Sequence, residues 1–173
     1  MRVVAGTARG RRLVAPPGRE TRPTADRVRE AVFSMLESLG AVADARVVDL
    51  FAGSGAMGIE ALSRGAASAV FVDTSPAAVA AIRANLVATG LVGRAEVVRA
   101  DVLRWLVRPP GPFDLAFVDP PYGFDRWAEL LAVLPASLAV LESDRPVAEE
   151  RWEVLRERRY GGTVVQIVSR KGD

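Results

Sequence analysis

The sequence has no cysteine and no histidine, and Lys171 is its only lysine. Disulfides, Cys/His zinc sites, cysteine nucleophiles, Ser-His-Asp triads and imidazole acid–base catalysis are therefore impossible within this polypeptide. Aromatic residues are scarce, at 6 %, and long apolar runs are missing: the longest, Leu130–Leu141, is interrupted by Pro135 and Ser137. A helix that crosses a bilayer needs about 20 apolar residues. The opening Met1-Arg2-Val3-Val4-Ala5-Gly6 also lacks the apolar core of a secretory signal, so a cytoplasmic location is expected. Carboxylates, hydroxyls, guanidinium groups and backbone are left to carry any chemistry.

What is present is an ordinary globular composition over 173 residues, half apolar and a quarter charged, enough for one well-buried domain. The net charge is only +2, but it is unevenly distributed. Residues 1–29 hold eight arginines (2, 9, 11, 12, 19, 22, 27 and 29) against Glu20 and Asp26, a net of +6. The remaining residues carry fifteen basic and nineteen acidic side chains, a net of −4. A basic arm on a mildly acidic body suggests a polyanionic partner for the arm.

Residues 1–40 read as an extension. Arg2–Ala5 and Arg12–Ala15 are expected as two short strands around a turn with Gly6 and Gly10, ended by Pro16-Pro17-Gly18. Thr24 is expected to cap a helix, because Val28, Ala31, Val32, Met35, Leu36 and Leu39 then fall on one apolar face that stops at Gly40. Arg27 and Arg29 lie on other faces, where solvent or a ligand would meet them. Residues 41–173 alternate strand and helix: strands at 46–51, 68–73, 95–99 and 113–119, and helices at 57–64, 76–89 and 102–107. Strands at 137–142 and 163–168 follow, with residues 152–159 between them. Continuous apolar strands separated by helices imply an α/β doubly wound, mostly parallel sheet covered on both faces.

Two motifs carry chemistry. In the first, Val47-Val48-Asp49-Leu50-Phe51-Ala52-Gly53-Ser54-Gly55-Ala56-Met57-Gly58, the glycines match G-x-G-x-x-G between a strand and a helix. Asp73 follows twenty residues after Gly53, where a carboxylate can accept from ribose hydroxyls. The pattern alone does not separate a nicotinamide dinucleotide from S-adenosylmethionine. Asp49 favours the second, because an acidic strand end opposes a pyrophosphate and suits a sulfonium and an ammonium group. The second motif is Asp119-Pro120-Pro121-Tyr122 at the end of the fourth strand. The prolines stiffen the loop and remove two N–H donors, leaving carbonyl acceptors. A carboxylate, a rigid carbonyl and an aromatic ring suit an exocyclic amine on a planar base, with two acceptors for the NH2 and Tyr122 stacked on the ring.

Asp49-Leu-Phe-Ala-Gly-Ser-Gly followed by Asp119-Pro-Pro-Tyr resembles the S-adenosylmethionine-dependent amino-methyltransferases. Arg9-Gly-Arg-Arg-Leu and Arg22-Pro-Thr-Ala-Asp-Arg-Val-Arg-Glu-Ala-Val-Phe narrow the resemblance to the RsmD family, which methylates N2 of a guanine in 16S ribosomal RNA of the small subunit. The likeness runs from Arg2 to about Tyr122 and resumes at Glu142 and Arg158-Arg-Tyr-Gly-Gly-Thr. Asp73 stands where many members have Glu, and residues 134–150 are shorter than usual and lack a Pro-Gly-Gly turn.

The resemblance implies a Rossmann-like methyltransferase sheet with a small N-terminal hairpin-plus-helix extension. It implies that Gly53, Ser54 and Gly55 pass beneath the methionine and ribose of the cofactor, with Phe51 and Thr74 beside them. Asp49 would face the ammonium, Asp73 the ribose, and Asp101 and the Val102 N–H the adenine; Asp101 also suits the cap of the helix that follows. Asp119, Pro120 and Tyr122 would be catalytic, holding the amine so that its lone pair points at the methyl group. Arg9, Arg11, Arg12, Arg22, Thr24, Arg27 and Arg29 would hold RNA, and a monomer is the default expectation. An N6-adenine methyltransferase, a protein-glutamine methyltransferase and a non-catalytic RNA-binding module that retains cofactor remain as alternatives.

Overall fold

Short runs rich in valine, alanine and leucine pair side by side because both of their faces can be covered by helices. The computed structural model describes residues 1–18 and 23–172. The elements are α1 (Pro23–Ser38), β1 (Arg46–Leu50), α2 (Ala56–Ser63), β2 (Ser68–Asp73), α3 (Pro76–Thr89), β3 (Ala95–Arg99), α4 (Val102–Trp105), β4 (Phe113–Val118), α5 (Trp127–Val133), β5 (Ala136–Ser143), β6 (Trp152–Tyr160) and β7 (Thr163–Arg170). The strands form one seven-stranded sheet in the order β3-β2-β1-β4-β5-β7-β6. The first five are parallel, and β7 runs antiparallel to both of its neighbours. The chain steps outward from β1 to β2 and β3, then returns to place β4 on the other side of β1. That reversal opens a crevice at the carboxyl ends of β1 and β4.

Alternation along the strands sends side chains to two cores. On one face Phe33 and Leu36 of α1, Ile59 and Leu62 of α2 and Ile82 of α3 bury Val47, Phe71, Leu115 and Phe117. The rings of Phe33 and Phe117 lie 5.6 Å apart. On the other face Val48, Leu50, Val72 and Val118 meet Leu106, Trp127, Leu130 and Leu131. Each such fully buried large side chain contributes about 1.5–3 kcal/mol. Among the described residues no helix is long and apolar enough to cross a membrane.

The extension departs from two regular strands. A single antiparallel bridge joins Arg2 to Arg12; turn bonds such as Gly10 N–H to the Val3 carbonyl (2.9 Å) close the hairpin, and other backbone groups bond to the body. Thr7 N–H donates to the Ser63 carbonyl (2.8 Å) and Ala8 N–H to Ser63 Oγ (2.9 Å). Val4 N–H donates to the fully buried Glu60 carboxylate, at 3.0 and 3.1 Å from its oxygens. Gly6 has φ +87°, and a Cβ there would sit 1.9 Å from the Ser63 carbonyl oxygen, so only glycine permits this approach. Asn85 Oδ1 accepts from Val14 N–H (2.8 Å), and its Nδ2 donates to the Val14 and Ser54 carbonyls (2.9 and 2.8 Å). Val3, Ala8 and Leu13 share the core of the body.

Other boundaries also moved. The first helix begins at Pro23, so Thr24 lies inside it rather than capping it. The helix after β3 stops at Trp105. Helix α5 was not anticipated, because only Leu134-Pro135 separates its apolar face from the apolar run of β5.

Candidate active site

The first wall of the crevice is the turn after β1. Phe51 (φ +56°), Gly53 (φ +60°) and Gly55 (φ +78°) all adopt the left-handed conformation. For Phe51 this costs on the order of 1–3 kcal/mol and must be held by its surroundings. Its ring meets Phe124 edge-on at 5.5 Å, and the next residue's N–H bonds the Val72 carbonyl at 3.1 Å. Asp73, at the end of β2, fixes the turn from beneath: Oδ2 accepts from Gly53 N–H and Oδ1 from Ser75 N–H, both at 2.9 Å. Asp49 is only 4 % exposed, and its Oδ2 accepts from Gly58 N–H at 2.9 Å. A Cβ on Gly58 would lie 2.4 Å from Phe71 Cε1, so the third glycine of the motif serves close packing of α2 on the sheet.

Burial pushes the Asp49 carboxyl up to about 8; the Gly58 N–H opposes the rise, and the charges of Asp119 and Asp73 add to it. Near neutral pH Asp49 is thus mainly protonated. A cation arriving beside it would favour release of that proton.

The crevice is a cleft of about 760 Å³. Phe51–Ser54 and Met57 form one wall; Ala25, Arg27, Val28 and Arg29 of α1, with Met1 and Pro16, form another; Tyr160–Thr163 close a third. Asp119 and Glu142 stand at its end and also line a smaller cleft of about 330 Å³ with Pro120, Pro121, Tyr122, Gly123 and Phe124. Tyr122 is 94 % exposed, leaving its ring open to a stacking partner.

Glu142 marks where the family likeness resumes in the sequence, but the motifs assign it no role there. It is half-buried and hydrogen-bonded to Asp119, and its carboxyl is raised well above the usual range. Burial is the largest cause, followed by the negative charge of Asp119 and that hydrogen bond, with Asp49 adding to them. A signal for it existed: the apolar run of β5 ends on Glu142 as that of β4 ends on Asp119, and parallel neighbours bring such ends together.

The structure brings Phe51, Gly53, Ser54, Arg27, Arg29 and Asp119 to the larger cleft, and Asp119, Pro120 and Tyr122 to the smaller. Asp49, Gly55 and Asp73 are buried behind the turn. Thr74, Asp101 and Val102 line neither of these clefts. Asp101 caps α4 by accepting from Arg104 N–H at 3.0 Å, and the Val102 side chain is buried in the second core. Arg9, Arg11 and Arg12 are exposed on the hairpin, and Arg27 on α1. Arg29 departs from its expected solvent exposure: it is 3 % exposed, bonds the Arg2 carbonyl and pairs with Asp26 at 3.1 Å. The hairpin folded across α1 encloses it. Arg22 and the side chain of Thr24 lie outside the described residues.

The chain as a whole has counterparts among known proteins. The family model described as Conserved hypothetical protein 95 matches residues 1–169. The chain is 34 % identical over 182 residues to ribosomal RNA small subunit methyltransferase D of Escherichia coli strain K12, covering 99 % of this chain and 90 % of that protein. It is 32 % identical over 174 residues to the Haemophilus influenzae protein of the same name, covering 93 % and 89 %. Among solved structures, a hypothetical protein of Thermus thermophilus superposes with a TM-score of 0.82 at 34 % identity, covering 98 % of this chain and 99 % of that one.

Proposed function

Since this chain belongs to the RsmD family of small-subunit ribosomal RNA methyltransferases, we propose that it methylates the exocyclic N2 amine of a guanine in 16S ribosomal RNA. The observation that carries this reading is Asp119 at the end of the cleft that the left-handed glycine turn lines, with Pro120, Pro121 and Tyr122 around the smaller cleft that Asp119 also lines. Phe51, Gly53 and Ser54 offer a backbone cradle, and Asp49 a buried carboxyl whose charge a cationic ligand would favour. These features fit S-adenosylmethionine, which brings an activated methyl group on a sulfonium and no phosphate. Asp73 holds the turn in shape through Gly53 N–H and can still accept from a ribose hydroxyl, since each carboxylate oxygen has two lone pairs.

On the substrate side the guanine amine is a weak nucleophile, because its lone pair is delocalised into the ring. Hydrogen bonds from its two protons to the Asp119 carboxylate and the Pro120 carbonyl localise that pair and aim it. Tyr122 stacks on the base and fixes its plane. Catalysis of this kind rests on positioning and electrostatics, which is why neither imidazole nor thiol is required. The exposed guanidinium groups of Arg9, Arg11, Arg12 and Arg27 supply phosphate contacts. The small ribosomal subunit or its RNA is the partner, met in the cytoplasm by a monomer.

Transfer of isotope from methyl-labelled S-adenosylmethionine to small-subunit RNA, with nucleoside analysis of the product, tests the reading. Label is expected in N2-methylguanosine. Asp119→Ala is expected to abolish turnover while cofactor affinity stays within about threefold. Label in N6-methyladenosine, or turnover retained by Asp119→Ala, would refute it.

A further inference from the structure

The residues on either side of the catalytic strand ends are set by register. Val118 of β4 pairs with Leu141 of β5, so the next residue on each parallel strand, Asp119 and Glu142, emerge beside one another at the same sheet edge. Both line both clefts, and their carboxyl groups are hydrogen-bonded to each other. Two carboxyl groups can share a hydrogen bond only if one of them carries a proton. Asp119 is the more exposed of the two and adjoins Pro120 and Tyr122, whereas Glu142 is half-buried on the strand.

From this juxtaposition we infer that Glu142 is a positioning residue for methyl transfer: in its protonated form it donates a hydrogen bond to Asp119 and holds that carboxylate toward the substrate amine. The inference rests on the role proposed for Asp119. It extends that role by assigning the pair a proton cycle. Before transfer the pair carries one proton and one negative charge. As the carbon–nitrogen bond forms and the carbon–sulfur bond breaks, the amine gives up a proton, which Asp119 accepts. The pair is then neutral and returns to its starting state by losing one proton to water.

The surroundings of Glu142 favour its protonated form. Asp119 adjoins it from the end of β4, and the Asp49 carboxyl adds a like charge from β1 when it is ionised. Asp144 follows on the strand exit and lines the smaller cleft. Arg27 and Arg29 of α1 and Tyr160 of β6 complete the lining of the larger one. Arg29 is committed to Asp26 and to the Arg2 carbonyl.

Three measurements test the inference. In cofactor-free protein, carbon-13 carboxyl NMR is expected to find Glu142 titrating above the usual carboxylate range, and Asp119→Asn to move that titration to lower pH. With cofactor and RNA saturating, kcat of the wild type is expected to fall at alkaline pH as the pair loses its last proton. Glu142→Gln donates a hydrogen bond at every pH. It is expected to keep kcat within about tenfold of wild type and to lose the alkaline limb. Glu142→Leu should lower kcat by about a hundredfold with cofactor Kd within about threefold.

An alkaline limb that persists unchanged in Glu142→Gln, or a normal carboxylate titration of Glu142, would overturn the proposal. So would wild-type kcat in Glu142→Leu; if that variant fails to fold, the other two readouts still decide. The role of Asp119 is judged separately: inactivity of Asp119→Ala beside an unchanged Glu142→Gln profile removes Glu142 and leaves the amine site standing.

Discussion

The two walls of the cleft hold their carboxyl groups in opposite ways. On the glycine-turn side, Asp49 and Asp73 are buried and accept from backbone N–H groups of Gly58, Gly53 and Ser75. On the other side, Asp119 and Glu142 are more exposed and meet each other. Backbone donors belong to the fold and cannot be withdrawn without moving a turn or a helix. A shared proton can be withdrawn by a change of pH or by a substrate. The first wall is therefore architecture that happens to be acidic, and the second is the one to which the proposed chemistry is assigned.

The contrast is tested most severely by deleting one carboxylate from each wall. Asp73→Ala leaves the N–H groups of Gly53 and Ser75 without an acceptor, at about 1–3 kcal/mol for each buried group. The variant is expected to unfold at clearly lower urea and to lose cofactor binding. Asp119→Ala is expected to cost less than Asp73→Ala, because its partner Glu142 is only half-buried. Equal shifts in the two urea melts would erase the distinction between the walls.

A smaller effect is expected from Asp49, because only its protonation changes. Its folded pKa of about 8 exceeds the ordinary 3.8, so the folded chain retains a proton that the unfolded chain has released. This contribution to stability is full below about pH 4 and declines as pH rises through about 8. Cofactor affinity should move the other way, since the ammonium group favours the ionised carboxyl. It is expected to rise by up to about tenfold per pH unit below pH 8 and to level off above it. Calorimetry in buffers of different ionisation enthalpy would show the accompanying proton release. Asp49→Asn should flatten both slopes, and slopes that survive the substitution would show that the carboxyl does not sense the cofactor.

The mildest prediction concerns the hairpin proposed to meet RNA. Replacing Arg9, Arg11 and Arg12 together by Gln should weaken RNA binding and reduce the salt dependence by about one unit of log–log slope per lost contact. Cofactor binding should be unaffected, because the three side chains are exposed and line neither cleft. Truncation of the hairpin would be a poorer test, since Val3, Ala8 and Leu13 belong to the core and Asn85 links Val14 to the Ser54 carbonyl. Titration of labelled RNA across a salt series reads the effect. Parallel salt slopes for the two proteins would remove the hairpin from the RNA contact.

Much of the body was legible because its signals are local. The strand Ser68–Asp73 and the helix Pro76–Thr89 lie where their apolar patterns and turn residues put them. The glycine turn and the Asp119 loop were legible for the same reason, since each is one short motif at a strand end. Glu142 was less so: its meaning comes from β5 lying beside β4, a tertiary pairing that brings together groups 23 residues apart in sequence. Arg29 was misread because helical periodicity knows nothing of the hairpin that later folds over it. The single bridge between Arg2 and Arg12 has a similar origin, for Glu60 and Ser63 of α2 take hydrogen bonds that a partner strand would otherwise receive.

Helix α2 couples the glycine turn mechanically to the basic hairpin. It leaves the glycine turn at Ala56 and finishes at Ser63, whose backbone and hydroxyl grip the basic hairpin. Eight residues at 1.5 Å each make a rod about 12 Å long, anchored at both ends. If RNA lies on the hairpin and the methyl donor on the turn, as proposed, this rod would act as a ruler, fixing how far a modified base can lie from the phosphates that hold its strand. An RNA of the right sequence but the wrong span would bind and go unmethylated.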